Sequence, residues 1–227
     1  MNLQQIKIWT YAFFLTNIYG IKLQKIINSL EKKMIRLQYS RQLLEKLHID
    51  IHIENKEYLP SNGPFLLIVN HRSIIDPLVI DILLQDKDIF GLWVAKKELY
   101  DSMLFGNAVR NGGCIRVSRE KTDMPQFFSD IKKGVSNGDS ICIFPEGTRN
   151  KTEKELLTFK EGVRIISLKF KLPILPIYIQ TNTDKVLDIA TKTDQRSNIT
   201  VKIGNLIDYK NKENIETLYR EMFNIQD

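Results

Sequence analysis

The sequence predicts a three-layer α/β domain with a largely parallel or mixed central sheet, preceded by a basic helical hairpin. From Asp50 onward, apolar runs of strand length alternate with stretches of helical periodicity, the pattern of an open α/β fold. The central strand candidate, Phe65-Leu66-Leu67-Ile68-Val69, is continuously apolar rather than alternating, as expected for a strand covered on both faces. Before residue 49 there is no strand signal, only an aromatic-rich apolar run followed by a basic amphipathic one. The 227 residues suffice for one well-filled domain plus an appendage, so the chain divides into 1–48, a helical membrane-anchoring segment, and 49–227, the α/β domain.

The appendage carries the charge. Between Met1 and His48 eight Lys or Arg face only Glu31 and Glu45, which equals the net charge of +6 of the whole chain. The run Ile8–Ile21 is bracketed by Lys7 and Lys22; its 14 residues would span about 21 Å as a helix, short of the roughly 30 Å hydrocarbon core. After Gly20 a second helix is expected, with Leu23, Ile26, Ile27, Leu30, Met34, Leu37, Leu44 and Leu47 on one face and cations between them. Two readings fit: a monotopic anchor lying in a bilayer interface, or a hairpin covering the core or docking a partner. Trp9, Tyr11, Tyr19 and the flanking lysines favour the first, which implies peripheral or monotopic attachment to the cytoplasmic face of a membrane. No small-residue cleavage site follows the apolar run, which argues against a cleaved leader.

The strands expected next are 51–54, 65–70, 90–95, 114–118, 140–144, 174–180 and 199–203. The helices expected between and after them are 78–84, 104–110, 126–135, 162–170 and 215–223. The polar segment 181–198 fits either a loop or a partly covered helix. Cys114 and Cys142 lie in separate apolar runs and read as reduced core residues, without a disulfide framework. No P-loop, G-x-G-x-x-G or C-x-x-C pattern is present, so the usual nucleotide, dinucleotide and zinc readings lack support and no metal is expected. Balanced charge after residue 48 and the lack of a basic-aromatic motif argue against a nucleic-acid partner.

Chemistry concentrates in a few connections. Asn70-His71-Arg72-Ser73-Ile74-Ile75-Asp76-Pro77 links the central strand to a helix, with Asp76 read as N-cap and Pro77 as first helical residue. If that loop folds back, Asp76 accepts a hydrogen bond from one nitrogen of His71 and leaves the other as a base. On spacing alone, a polar loop residue beside a helix cap is the better fit. Arg119, at the far end of the 114–118 strand, offers a planar fork to phosphate, as Arg116 does if it faces the cleft; strand alternation points the two to opposite faces, so one of them is only a surface residue. Phe144-Pro145-Glu146-Gly147-Thr148-Arg149 ends another buried strand; Glu146, Thr148 and Arg149 could bind a polyol phosphate and Gly147 allows close approach, although an ordinary polar turn would look similar. Lys160, just before the next helix, adds an anion contact, as do the free N–H groups of that helix.

In order and spacing these pieces resemble the 1-acyl-sn-glycerol-3-phosphate acyltransferase family of glycerolipid acyltransferases. Asn70 to Asp76 fits its N-H-x-S-x-x-D motif, Phe144 to Arg149 its F-P-E-G-T-R motif, and Leu172-Pro173-Ile174-Leu175-Pro176 is similar to its V-P-I-x-P run. Gly113 to Arg119 resembles its G-C-I-P-V-D-R motif, with Arg116 in place of Pro and Ser118 in place of the acid. The resemblance implies a glycerol-3-phosphate acyltransferase-like fold and transfer of an acyl group from a thioester to the free hydroxyl of lysophosphatidic acid. It implies His71 as general base, Asp76 as its orienting carboxylate, and Arg119, Glu146, Gly147, Thr148, Arg149 and Lys160 as acceptor-binding residues. It implies membrane lipids and a lysophospholipid as partners, no cofactor, and acyl-CoA or acyl-carrier protein as co-substrate. Rival readings are an acyltransferase for another lysophospholipid or glycerol 3-phosphate, an acyl thioesterase, and a non-catalytic membrane-binding protein.

Overall fold

The computed structural model describes residues 2–118 and 120–226. In chain order its elements are α1 (Leu3–Gln24), α2 (Ser29–Lys46), β1 (Ile49–Glu54), β2 (Leu66–Val69), α3 (Asp76–Leu83), β3 (Gly91–Lys96), α4 (Lys97–Tyr100), α5 (Gly106–Asn111), β4 (Ile115–Val117), α6 (Met124–Ser136), β5 (Ser140–Ile143), α7 (Gly162–Phe170), β6 (Ile174–Ile179), α8 (Thr183–Lys192), β7 (Ser197–Ile203) and α9 (Ile215–Phe223). The strands form one seven-stranded mixed sheet in the order β1-β7-β6-β2-β5-β3-β4. Every neighbouring pair is parallel except β6 and β7.

Alternation along the strands builds the two outer layers. On β2, Leu67 and Val69 face a core shared with α1, α2, α3 and α8; Leu66 and Ile68 face one shared with α6, α7 and α9. All four residues of β2 are fully buried, which explains why the run is apolar throughout. The expected strands all form, and the undecided segment 181–198 contains α8. Asn182 caps α8 by accepting a hydrogen bond from the Lys185 N–H, while Val186, Leu187 and Ala190 turn into the core. The half-buried Asp184 and the exposed Lys185 and Asp188 dilute the apolar pattern of this segment.

Two local expectations change. Asp76 is not the N-cap of α3 but its first helical residue, with Ile75 as cap and Pro77 second; its carboxylate folds back over the preceding turn. Gly20 does not end α1, which continues to Gln24 before α2 begins at Ser29. A Cβ on Gly20 would lie 2.9 Å from the Ala108 backbone nitrogen, so the missing side chain lets α1 and α5 cross closely. The Asn111 amide donates to the Gly20 carbonyl at the same crossing.

The hairpin α1–α2 is part of the domain's core. Ile8, Leu15, Tyr19, Leu43 and Leu44 join the same buried cluster as Leu67 and Val69. Arg36, expected on a cationic outer face, instead turns inward. It pairs with Asp81 of α3 and donates to the carbonyls of Gly91 and Gly112, at 2.7 and 3.3 Å. Ser40 donates to the same carboxylate at 3.1 Å. The other side of α1 leaves Leu3, Ile6, Phe14, Ile18 and Ile21 exposed. Among the described residues no helix is long and apolar enough to cross a membrane.

Candidate active site

The sheet order puts the ends of β2 and β5 side by side, in parallel register with Leu66 opposite Ile141. The connections leaving these strands carry His71 and Glu146, which is how stretches 75 residues apart come to share one site at the carboxyl edge of the sheet.

The loop after β2 is held from every side. Asn70 is buried and clamps the last residue of β6: its side-chain NH₂ donates to the Ile179 carbonyl at 2.9 Å and its oxygen accepts the Ile179 N–H at 2.8 Å. The next residue, His71, donates its backbone N–H to Glu146 Oε1 at 2.7 Å, and its carbonyl accepts the Asn150 N–H at 2.6 Å. Asp76 Oδ2 accepts the backbone N–H groups of Arg72 and Ser73, both at 2.8 Å, and lies 2.8 Å from His71 Nδ1. A carboxylate only accepts, so Nδ1 carries the proton and Nε2 of neutral His71 keeps its lone pair. Nε2 makes no hydrogen bond among the described residues, and the His71 side chain is 17% exposed while that of Asp76 is 1%. The imidazole also stacks on Phe144, with centroids 3.7 Å apart and planes 9° from parallel, and Phe144 stacks in turn on Trp93. One ring nitrogen is therefore bound, the ring plane is fixed, and the other nitrogen is available as a base.

The second connection separates into an inner and an outer part. Glu146 is 2% exposed and both its oxygens are occupied, Oε1 by His71 N–H and Oε2 by Leu157 N–H at 2.9 Å. Burial pushes its carboxyl up to about 7, against the opposing pull of those two N–H groups and of the Arg72 charge. Gly147, Thr148 and Arg149 are exposed, with Gly147 at φ +67°, a conformation that favours glycine. Lys160 lies against this turn: its N–H donates to the Pro145 carbonyl at 2.8 Å, and a Cβ on Gly147 would sit 3.4 Å from its Cγ. The side chains of Thr148, Arg149 and Lys160 have no hydrogen-bond or ion-pair partner among the described residues, so both cations are available to an anion. Arg119 lies outside the described residues. Arg116 is engaged with Asp123 at 3.4 Å and with Asp101.

Below this rim runs a cleft of about 200 Å³, walled by Val94, Val117, Met124, Phe127, Phe128, Ile143, Ile165 and Ile166, with Phe144, Gly147 and Lys160 also on its lining. It is an apolar groove with a cationic edge, and its wall includes the ring that stacks on His71. Among the described residues no group of three or more His, Cys, Asp or Glu side chains could hold a metal ion. Burial raises the thiols of Cys114 to about 11 and of Cys142 to about 12, which keeps both protonated and poor nucleophiles.

The family model described as Acyltransferase matches residues 50–180, more than half of the chain. The chain belongs to the acyltransferase family. Among curated relatives, it is similar to a Helicobacter pylori protein named 1-acyl-sn-glycerol-3-phosphate acyltransferase, 34% identical over 118 residues, covering 52% of this chain and 48% of that one. A Streptococcus pneumoniae protein of the same name is 26% identical over 183 residues, 78% of this chain and 64% of that one. The chain spans about half the length of most curated relatives it matches. Its fold is similar to that of a solved Thermotoga maritima 1-acyl-sn-glycerophosphate (LPA) acyltransferase, PlsC, with a TM-score of 0.68 at 20% identity, covering 98% of this chain and 91% of that one.

For this member of the family, the motif residues that hold the loop are as informative as those that face outward. Asn70 and Arg72 belong to the first motif but only the fold gives their partners: the Arg72 guanidinium grips the carbonyls of Thr152, Lys154 and Glu155. Ser73 bonds the turn through its backbone N–H, and its buried hydroxyl has no partner among the described residues. Thr183, the first residue of α8, donates its hydroxyl to Asp76 Oδ1 at 2.5 Å. No local signal joins two residues 107 positions apart, and Thr183 lies beyond the family match.

The raised carboxyl of Glu146 gives a test of this arrangement. A folded-state value above the ordinary one stabilises the native state fully at low pH, and that contribution is lost as pH rises through about 7. A shift of this size corresponds to at most roughly 3 kcal/mol. Glu146→Gln removes the titration, so the stability advantage of the wild type over the variant should shrink between pH 5 and pH 8 in urea unfolding. A constant or growing difference would refute the placement.

Proposed function

We propose that this chain is a 1-acyl-sn-glycerol-3-phosphate O-acyltransferase that moves a fatty acyl group from a thioester, acyl-CoA or acyl-carrier protein, to lysophosphatidic acid, forming phosphatidic acid in phospholipid biosynthesis. The observation that carries this reading is the conjunction at His71: a base with one nitrogen bound to a buried carboxylate and the other free, set between an apolar groove and a cationic rim. Neither a hydrolase for water-soluble esters nor a lipid-binding module needs all three. The names of the curated relatives supply the acceptor.

In this mechanism the acceptor's hydroxyl is the nucleophile. As its oxygen attacks the thioester carbonyl, His71 Nε2 takes its proton, and Asp76 stabilises the imidazolium that forms. Collapse of the tetrahedral intermediate breaks the carbon–sulfur bond. The thiolate leaves with the proton held by His71, giving ester and free thiol, and no acyl-enzyme is required. Arg149, Thr148 and Lys160, with Arg119, bind the acceptor phosphate through charge-assisted bonds, and Gly147 lets the phosphate approach the backbone. Glu146 acts from behind, holding the His71 backbone rather than meeting the ligand. The apolar groove takes an acyl chain.

Lysophospholipids reside in membranes, so the site must reach a bilayer. We infer that the protein is peripheral or monotopic, on a cytoplasmic leaflet whose anionic lipids attract Lys7, Lys22 and Lys25, while the outer face of α1 enters the interface. The α4–α5 connection extends that face: Met103 is 96% exposed, Leu104 is exposed beside it, and Phe105 packs edge-on against Phe13 of α1.

A purified-protein assay crossing both donors with several lysophospholipids and glycerol 3-phosphate tests the reaction. His71→Ala should lower turnover by about 10²- to 10⁴-fold without unfolding the protein; a variant that keeps most activity sinks the mechanism, and thioester hydrolysis independent of acceptor would replace the transferase with a thioesterase. Arg149→Ala should raise the acceptor KM roughly tenfold with little change in that of the donor; an unchanged acceptor KM removes Arg149 from the phosphate site. For the membrane reading, Met103→Glu should weaken co-sedimentation with phosphatidylglycerol vesicles by about tenfold at unchanged urea stability, and equal binding by variant and wild type would exclude the loop from the contact.

A further inference from the structure

Asp76 is a buried acid without a full positive charge bonded to it, so its hydrogen bonds decide how it sits. The two oxygens are used unequally. Oδ2 receives three donors, His71 Nδ1 and the N–H groups of Arg72 and Ser73. Oδ1 receives one, the Thr183 hydroxyl at 2.5 Å. Asp76 is 0% and Thr183 1% exposed, so bulk water does not reach this bond. The three donors on Oδ2 all come from residues 71–73 of one short turn, whereas Thr183 approaches from a different element across the core, at the start of α8.

The torsion that rotates a carboxylate is soft and roughly two-fold. Donors gathered on one oxygen hold that oxygen but leave the plane free to turn about it. A donor on the second oxygen fixes the plane, and the plane sets how squarely Oδ2 meets His71 Nδ1. An Oδ1 without this donor would also be a buried acceptor left unsatisfied in a dry site. Thr183 is held firmly enough for the task. It opens an α-helix of ten residues, with Asn182 capping that helix and Val186, Leu187 and Ala190 anchoring it in the core.

We propose that Thr183 is the third member of a hydrogen-bonded chain Thr183–Asp76–His71, a positioning residue that sets the orientation of the carboxylate behind the base. This rests on His71 acting as the base of acyl transfer, as proposed above. Thr183 is buried behind Asp76, so its effect falls on turnover. The chain runs from outside the matched family segment into the first motif, and gives α8 a catalytic purpose that its polar sequence does not announce.

The test compares Thr183→Val, which keeps shape and removes the hydroxyl, with Thr183→Ser, which keeps the hydroxyl and removes a methyl. Steady-state kinetics with acyl-CoA and lysophosphatidic acid should show kcat lowered about 10- to 100-fold in Thr183→Val, well short of the loss expected from altering the carboxylate itself. Both KM values should stay within about twofold, and Thr183→Ser should recover most of the rate. Proton NMR of the histidine-labelled protein supplies a readout independent of activity. The His71 Nδ1–H resonance, assigned by its absence from His71→Ala, should move upfield or broaden away in Thr183→Val and persist in Thr183→Ser. A folded Thr183→Val protein with wild-type kcat and an unmoved resonance overturns the proposal, as does equal loss of rate and stability in both variants, which marks a packing role. If wild type transfers no acyl group but the resonance responds as described, the acyltransferase reading fails while the positioning role stands. If wild type is active and the resonance is indifferent to Thr183→Val, the reverse holds.

Discussion

A carboxylate that is removed from water must be given donors, and the burial of Asp76 imposes this on everything around it. The turn from Arg72 to Ser73 has to present its N–H groups inward, the imidazole of His71 has to lie with Nδ1 toward the acid, and α8 has to begin where its first hydroxyl can reach the second oxygen. Asp76 therefore abandons the helix cap that its place before Pro77 suggests and organises the loop instead. The orientation of the His71 ring is a product of that constraint. With its proton fixed on Nδ1 and its ring stacked on Phe144, His71 presents one lone pair in one direction.

A second buried carboxylate supports the first from the neighbouring strand end. Glu146 bonds two backbone N–H groups, one at His71 and one at Leu157, and so ties the loop after β2 to the loop after β5. Arg72 and Asn150 complete the same seam by bonding carbonyls of residues 152–155. The charges of the site are thus layered. Acids sit inside, engaged by backbone donors, whereas Arg149 and Lys160 stand outside with open hydrogen-bonding capacity. A phosphate meeting that surface encounters cations first, and the acids are already satisfied and shielded by burial.

The N-terminal hairpin has two faces with different duties. Inward, it contributes to the main core and places Arg36 in a part-buried pair with Asp81, an arrangement that is destabilised if either partner is removed alone. Outward, it leaves a row of apolar side chains that the α4–α5 connection prolongs. Because α1 packs closely on α5 through Gly20 and Ala108, and also on α2 and α8, the exposed apolar surface is tied to the rest of the domain.

Much of this was legible in the chain. Continuous apolar runs and the turns between them marked the strands, because a strand buried on both faces has little room for polar residues. The helices covering the far face showed their periodicity for the same reason, and the motifs around His71 and Glu146 marked the family. What the sequence could not contain was the partner of each polar group. Whether Glu146 points at ligand or at backbone, whether Arg36 is a surface cation or half of a core ion pair, and whether Gly20 breaks a helix or permits a crossing all depend on what another segment brings to the same place. Thr183 is the sharpest case. Its composition and periodicity describe one end of a polar helix, and only the crossover from β6 sets its hydroxyl against Asp76. Local sequence determined which elements form, because burial writes itself into residue type along a segment. Tertiary structure alone decided the hydrogen-bond partners, because those are made between segments that share no local pattern.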